Sequence, residues 1–281
     1  LLPYFRKFKP DLIHIHYWNW ADKDWYHQVF EAAQIYGCQV VENINVPVNP
    51  YLSPIVSQYV YVSNFVQNNF GAESAPNMTI YPGSNLELFG RRRASDMPDD
   101  CIGMVYRLDY HKVTKESIDV FIKVVQRRRK TRVLIVGGGP LLEAYQQAVQ
   151  EAGLEDAFTF TGYVAYQHLP VLYEKFSIFV APLREESFGQ VGPFAMGMGI
   201  PVAGYVVDGM NDLFFPEASL RFSPGDSPEF IALQVEELLL NDDRYESLHS
   251  NAIKLSQYVT WDRCIEEWQQ LLQHTHTEPE G

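Results

Sequence analysis

The sequence predicts an α/β protein made of two doubly wound parallel sheets. Short apolar runs alternate with amphipathic stretches along the 281 residues, which is the pattern of strands joined by crossover helices. A charged segment without periodicity, residues 91–100, divides this pattern into two regions and is typical of a linker. The chain is long enough for two such domains, and we predict them at residues 1–94 and 95–258.

Each predicted strand is an apolar run bounded by turn residues. The first region has predicted strands at residues 12–15, 39–43, 59–62 and 79–81, with an amphipathic helical stretch at 24–36. The second has predicted strands at 102–106, 132–136, 159–161, 178–180 and 202–205, separated by helices that include 115–129, 140–152 and 167–175. From residue 227 onward the pattern is helical, at 228–240, 244–258 and 261–273.

The composition narrows the class of protein. A formal net charge of −13 argues against general nucleic-acid binding. The three cysteines have no paired spacing, so we expect neither a disulfide framework nor a zinc site, and a cytoplasmic location fits. Two basic runs, residues 91–93 and 127–130, fit a solvated surface best, and peripheral contact with an anionic membrane stays open as the alternative.

The stretch at residues 181–205 is the most informative part of the chain. A buried strand ends at Pro182, and the carboxylates of Glu185 and Glu186 follow it. In open parallel sheets, ligands bind at the carboxyl ends of the strands. We therefore expect this charge to face a ligand.

Three backbone amides follow Glu186, those of Ser187, Phe188 and Gly189. The pattern predicts that they begin a helix, where free N–H groups can face phosphate.

Two cations follow another strand in the same way. Arg107 comes directly after the strand at 102–106, and Lys112 lies five residues later. A planar guanidinium and a compact ammonium together can hold a diphosphate. A surface loop held by ion pairs is the structural alternative.

These motifs resemble those of the retaining GT-B glycosyltransferases of the family 4 type (GT4), the glycosyl transferases group 1. Glu186, Phe188 and Gly189 match the family's Glu-x-Phe-Gly, and Arg107 with Lys112 is similar to its Gly-Arg-Leu…Lys-Gly element. The resemblance implies that the two cations bind the donor's diphosphate and that Glu186 contacts the transferred sugar. It also implies a GT-B fold of two Rossmann-like domains.

The match is incomplete at the donor's nucleoside. The family has a second Glu eight residues after the first, which holds the ribose, and this chain has Phe194 there. Either another residue takes the ribose, or donor binding is weak, or the site is degenerate. Gly162, Tyr163 and Val164 resemble the family's base pocket, with a simple strand-to-helix turn as the equal alternative.

In the first region, residues 10–16 resemble the family's Pro-Asp-hydrophobic-His-x-His strand. His14 and His16 would ordinarily be core residues on such a strand. Asn45 stands where many members have a His beside the transferred sugar. His16 and Asn45 are therefore the weaker candidates for the sugar and acceptor side.

The resemblance implies transfer of a sugar from a UDP-, GDP- or ADP-sugar to a carbohydrate, lipid-linked or small-molecule acceptor, without a cofactor or metal ion. It implies that the last helix, within residues 259–281, crosses back to the first domain. It also implies an incomplete first domain, since the family's N-terminal strand and Gly-rich loop have no counterpart. A nucleotide-sugar-binding module with weak or no catalysis is the alternative.

Overall fold

The computed structural model describes residues 1–18, 22–73, 76–90 and 100–276, with side chains as far as residue 273. The chain divides into two compact units, Leu1–Gly83 with Trp261–Gly281, and Ser84–Thr260. The predicted linker, apart from its last residue, lies outside the described residues, as do the predicted boundary at 94/95 and the basic run at 91–93. Within the described ranges, no helix is both long and apolar enough to cross a bilayer.

A four-stranded parallel sheet forms the first unit, in the order β1–β2–β3–β4. The strands are β1 (Leu12–Tyr17), β2 (Gln39–Ile44), β3 (Val56–Tyr61) and β4 (Asn77–Thr79). The first three overlap their predicted positions, and β4 begins two residues before its predicted start. The helices that precede or follow these strands are α1 (Leu2–Phe8), α2 (Lys23–Tyr36) and α3 (Asn64–Phe70).

Helix α2 shows why the connecting segments are helical. Its buried side chains include Tyr26, Val29, Phe30 and Ala33, which lie on one face at spacings of three and four residues. Gly37 ends the helix in the left-handed region, at φ 81°, where its N–H donates to the carbonyl of Ala33.

The two histidines of β1 correct one expectation. Ile15 and Tyr17 are buried, whereas His14 and His16 lie on the accessible side of the strand. Successive side chains of a strand point to opposite faces, so the apolar residues take the core face. The expectation that these histidines are core residues is therefore wrong.

The second unit contains a six-stranded parallel sheet in the order β10–β9–β8–β5–β6–β7. Its strands are β5 (Cys101–Val105), β6 (Arg132–Val136), β7 (Phe158–Phe160), β8 (Ile178–Ala181), β9 (Val202–Tyr205) and β10 (Ser219–Phe222). Its helices are α4 (Ser117–Arg127), α5 (Leu142–Glu151), α6 (Leu169–Tyr173), α7 (Val191–Gly197), α8 (Pro228–Leu239) and α9 (Asp242–Ser256). The predicted alternation of strand and helix in this region is confirmed.

Strand β10 is absent from the sequence prediction. It lies at the edge of the sheet and, among the described strands, pairs with β9 alone. Arg221 interrupts its short apolar run, so the periodicity gives no clear strand signal there.

The last helix, α10 (Trp261–His276), belongs to the first unit. Its Cys264 is buried with Val41 and Val60 of the sheet, and Trp268 packs against the same cluster. The apolar side of α10 thus covers part of the first unit's core.

Candidate active site

The strand order places a ligand crevice in the second unit. From β5 the chain proceeds outward to β6 and β7, then returns to the other side of β5 to form β8, β9 and β10. The strand order therefore reverses between β5 and β8. Ligands of open α/β sheets bind outside the carboxyl ends of the strands at such a switch point.

Lys112 and Glu186 meet at this switch point. Lys112 follows β5 and Glu186 follows β8, and the Lys112 Nζ atom lies 2.8 Å from Glu186 Oε2. Both side chains are largely buried, with exposed fractions of 23% and 12%. A backbone hydrogen bond of 2.8 Å from Arg184 N–H to the Lys112 carbonyl joins the two loops. The sequence predicts both residues as site residues but not their pairing.

Arg107 lies in the same loop as Lys112 but is much more accessible. Its side chain is 73% exposed, and its Nη1 atom lies 3.1 Å from Asp109 Oδ2. The other oxygen of Asp109 accepts hydrogen bonds from the backbone N–H groups of His111 and Lys112, at 3.1 and 3.2 Å. Asp109, which is not among the site residues predicted from the sequence, thus orders the loop that carries both cations.

The glycines after β6 allow two loops to approach each other. Gly137 and Gly139 have φ values of 135° and 147°. A Cβ atom on Gly137 would lie 1.9 Å from the Tyr106 carbonyl oxygen, and one on Gly139 would lie 2.5 Å from that of Leu108. The two glycines therefore allow the loop after β6 to pack closely against the segment that contains Arg107.

Replacing Gly137 by alanine is expected to destabilise the second unit by about 2–5 kcal/mol, because it adds backbone strain and a clash with main-chain atoms. Urea unfolding measures the loss. Gly153 is the matched control, since its φ is also positive, at +63°, but an added Cβ would meet nothing within 4 Å. Equal losses for Gly137→Ala and Gly153→Ala would contradict the close approach of the two loops.

The segment after Glu186 corrects the predicted helix start. Helix α7 begins at Val191, so the N–H groups of Ser187, Phe188 and Gly189 lie in the preceding loop. Gly189 has a φ of 83°, which a right-handed helix cannot include, so the helix begins only after it. An added Cβ on Gly189 would lie 3.0 Å from Glu186 Cγ. The glycine thus lets this loop fold against the Glu186 side chain.

A second loop, which follows β9, holds the backbone of Glu186 on both sides. Asp208 Oδ2 accepts a hydrogen bond from Glu186 N–H at 3.2 Å, and Gly209 N–H donates to the Glu186 carbonyl at 2.9 Å. Burial, together with the charges of Glu185 and Glu186, raises the pKa of the Asp208 carboxyl. Neither loop residue is among the site residues predicted from the sequence, although an Asp-Gly pair after a strand is a recognisable turn signal.

Tyr106 is a buried neighbour of this site. Its hydroxyl has no hydrogen-bond partner among the described residues. Burial, with the negative charge of Glu186 as a further cause, raises the pKa of Tyr106 well above its ordinary value. Tyr106 is therefore neutral in the folded chain.

The three residues assigned to the base pocket lie beside the glycine loop. The Gly162 carbonyl accepts a hydrogen bond of 3.0 Å from Gly137 N–H. Tyr163 is 86% exposed, and Val164 is partly buried. Their contact with a nucleobase stays a prediction.

Phe194 is a buried residue of α7. It is 4% exposed and stacks on Phe89 with ring centroids 4.2 Å apart and planes 2° from parallel. Tyr173 approaches the same two rings edge-on. The position at which the resemblance implies a ribose carboxylate is thus filled by a buried aromatic cluster, and donor contact by Phe194 stays a prediction.

In the first unit, Asn45 and His16 lie close together. Asn45 Nδ2 is 3.3 Å from His16 Nδ1 and 3.5 Å from the Asn43 carbonyl. The His14 ring contacts those of His16 and Trp268, with centroid distances of 4.6 and 4.3 Å. Desolvation of His14, with the charge of His16, lowers its pKa to about 4. His14 is therefore neutral near pH 7.

The described ranges contain no group of three or more His, Cys, Asp or Glu side chains arranged to hold a metal ion. The switch point instead pairs a cation with a carboxylate, Lys112 with Glu186.

Comparison with known proteins identifies the family. The model of the glycosyl transferases group 1 family matches residues 89–255, more than half of the chain. The chain is 32% identical over 111 residues to 2-deoxystreptamine glucosyltransferase of Streptomyces kanamyceticus, a match covering 40% of this chain and 29% of that protein. It is 24% identical to D-inositol 3-phosphate glycosyltransferase of Corynebacterium urealyticum, over 96% of this chain and 73% of the relative. The match to the first of these proteins thus spans less than a third of its length.

Solved structures show the same architecture. The crystal structure of Anabaena HepE in complex with UDP-glucose superposes with a TM-score of 0.76 and 20% identity, covering 94% of this chain and 79% of that chain. At this identity the likeness establishes the fold, and it confirms the predicted GT-B class with two parallel sheets. The chain belongs to the glycosyl transferases group 1 family.

Proposed function

We propose that this chain is a retaining glycosyltransferase of the GT4 type, which moves a sugar from a nucleotide-sugar donor to an acceptor hydroxyl. The observation that carries the proposal is the Lys112–Glu186 pair at the switch point, with the exposed guanidinium of Arg107 in the same loop as Lys112. The two cations suit a diphosphate, and the carboxylate can accept hydrogen bonds from sugar hydroxyls.

Arg107 and Lys112 would hold the diphosphate. The Arg107 fork is accessible to solvent and can bind a phosphate in bidentate geometry. The Lys112 ammonium has three N–H donors, and Glu186 uses one of them. Lys112 can therefore bind a phosphate oxygen without releasing Glu186.

Glu186 would orient the transferred sugar. Its carboxylate accepts hydrogen bonds, and its backbone is held on both sides by the loop after β9. A fixed acceptor of this kind can bind sugar hydroxyls in one orientation. His16 and Asn45 of the first unit are proposed for the acceptor side on the resemblance alone.

Catalysis in this proposal rests on the leaving group. Negative charge develops on the departing nucleoside diphosphate, and preorganised donors near that charge lower the barrier. Arg107 and Lys112 supply such donors, so we propose that transfer needs no metal ion. We also propose that the protein acts in the cytoplasm, where nucleotide-sugars would be its substrates.

A donor panel tests the proposal. The chain is incubated with UDP-, GDP- and ADP-sugars, beginning with UDP-glucose because HepE was solved with that donor. Release of the nucleoside diphosphate is measured with carbohydrate, lipid-linked and small-molecule acceptors and without them. We expect turnover with one donor class, an unchanged anomeric configuration in the product by NMR, and the same rate in EDTA. A loss of turnover in EDTA would refute the metal-free mechanism, and inversion would refute retention.

A second candidate is a nucleotide-sugar-binding module with weak or no catalysis. The buried aromatic cluster around Phe194 favours it, because a ring cannot hold ribose hydroxyls as a carboxylate does. Calorimetry with UDP, GDP and ADP separates the two candidates. Binding without turnover on any donor supports the module, and the absence of both binding and turnover excludes both candidates.

A further inference from the structure

We propose that Asp208 is a positioning residue for Glu186: its carboxylate fixes the peptide group that aims the Glu186 side chain at the donor sugar. The proposal rests on the proposed function, since it assigns a role within that same site. Three observations carry it: the backbone conformation of Asp208, its hydrogen bond to Glu186, and the adjoining contact made by Gly209.

The backbone of Asp208 is in a conformation that side chains disfavour. Its φ is 45°, in the left-handed region where a Cβ atom crowds the following carbonyl. Glycine would occupy this position more easily. Aspartate tolerates this region better than most residues because its short polar side chain can form a hydrogen bond, and Asp208 forms one with Glu186 N–H.

The Asp208 side chain has a defined partner. Its Oδ2 accepts the hydrogen bond from Glu186 N–H at 3.2 Å, across 22 residues of sequence. The next residue, Gly209, donates its own N–H to the Glu186 carbonyl at 2.9 Å. The two peptide groups that flank the Glu186 Cα atom are therefore held by neighbouring residues of one loop.

The contact with Gly209 is too close for any side chain. A Cβ atom on Gly209 would lie 1.9 Å from the Ser187 carbonyl oxygen. The loop after β9 thus lies directly against the Glu186–Ser187 segment. Because the Cα–Cβ bond direction follows from the backbone, this clamp determines where the Glu186 carboxylate can reach, and it places that carboxylate at Lys112 Nζ.

The Asp208 carboxyl lies in a negatively charged environment. Asp208 is partly buried beside the carboxylates of Glu185 and Glu186, and burial with these charges raises its pKa. The hydrogen bond from Glu186 N–H acts in the opposite direction and favours the charged carboxylate. An asparagine would keep that acceptor without the charge.

Three variants separate positioning from stability. Asp208→Gly relieves the backbone strain but removes the acceptor, whereas Asp208→Asn keeps an acceptor oxygen. Asp226→Ala is the matched control, because Asp226 Oδ2 makes the same kind of bond, 2.7 Å to Ser223 N–H, in the loop after β10. Each variant is measured for kcat and KM with the active donor, for thermal unfolding, and for hydrogen exchange at the Glu186 amide.

We expect Asp208→Gly to unfold at the wild-type temperature or above it and to lose kcat by about 10- to 100-fold, since a displaced reactive group costs up to about 100-fold in rate. Its KM should change less than its kcat, because the cations that bind the diphosphate are unaltered. Its Glu186 amide should exchange faster. Asp208→Asn should retain the slow exchange and most of the turnover, and Asp226→Ala should match the wild type in both.

The outcomes distinguish this inference from the proposed function. If Asp208→Gly keeps both wild-type turnover and slow exchange at Glu186, or if Asp208→Asn fails as completely as the glycine variant, the positioning role is overturned. A wild-type chain without turnover refutes the proposed function instead. In that case exchange at the Glu186 amide still tests whether Asp208 holds the peptide.

Discussion

Replacing Arg107 by alanine is expected to lower donor turnover about 100- to 1,000-fold, the cost typical of losing a donor aimed at developing negative charge. Stability should change little, because the Arg107 side chain is 73% exposed and its pair with Asp109 is a surface ion pair, worth about 0–1 kcal/mol. Steady-state release of the nucleoside diphosphate and thermal unfolding measure the two effects. Arg107 is therefore a cleaner test than Lys112, whose removal would also leave a mostly buried carboxylate without its partner.

Arg127 supplies the control for charge. It lies at the end of α4 and pairs with Glu236 of α8, away from the carboxyl ends of the strands. Arg127→Ala removes the same charge from the same unit and should leave turnover unchanged. Wild-type turnover in Arg107→Ala would show that the diphosphate is held elsewhere. Equal losses in both variants would show that only net charge matters.

The strand pattern carried most of the fold prediction. Apolar runs such as those that form β6 and β8 are buried on both faces, and buried parallel strands leave a continuous signal in the sequence. Because the strand ends are predictable, the sequence also shows which charged residues follow a strand and so lie at the ligand-binding edge of the sheet. The sequence predicts Arg107, Lys112 and Glu186 as site residues because each follows a predicted strand, and all three lie in the loops after β5 and β8.

Contacts between distant loops could not be predicted in this way. Asp208 contacts Glu186 because β9 lies beside β8, which brings the two following loops together, and no local pattern encodes that pairing. The start of α7 was misplaced for a related reason. The spacing of apolar residues after Glu186 is helical, but Gly189 has a positive φ, and Met210 and Glu186 lie too close to it for a side chain.

Phe194 illustrates a limit of motif matching. The resemblance showed that a carboxylate is missing at this position, but only the structure shows what replaces it. The ring of Phe194 stacks on Phe89, which lies more than 100 residues away in sequence, and the hydroxyl of Tyr173 beside them donates to the carbonyl of Val191 at 3.0 Å. The Phe194 ring is thus part of a packed core.

Replacing Glu186 by glutamine is expected to lower turnover about 10- to 100-fold, because hydrogen bonds to a charged group contribute about 1.5–3 kcal/mol. The amide keeps the shape of the side chain but loses the negative charge that holds Lys112 Nζ at 2.8 Å. The loss should therefore appear both in kcat, through poor orientation of the sugar, and in a lower unfolding temperature.

Glu185 provides the matched comparison at the neighbouring position. Its side chain is 50% exposed and its Oε1 lies 3.4 Å from His111 Nδ1, so it faces a different partner from Glu186. Glu185→Gln makes the same chemical change one residue earlier and should leave turnover and stability near wild type. The opposite result, a loss in Glu185→Gln with none in Glu186→Gln, would shift the sugar contact by one residue and remove the role assigned to the Lys112–Glu186 pair. Wild-type turnover in both variants would mean that neither carboxylate contacts the sugar, and donor binding would then depend on the two cations alone.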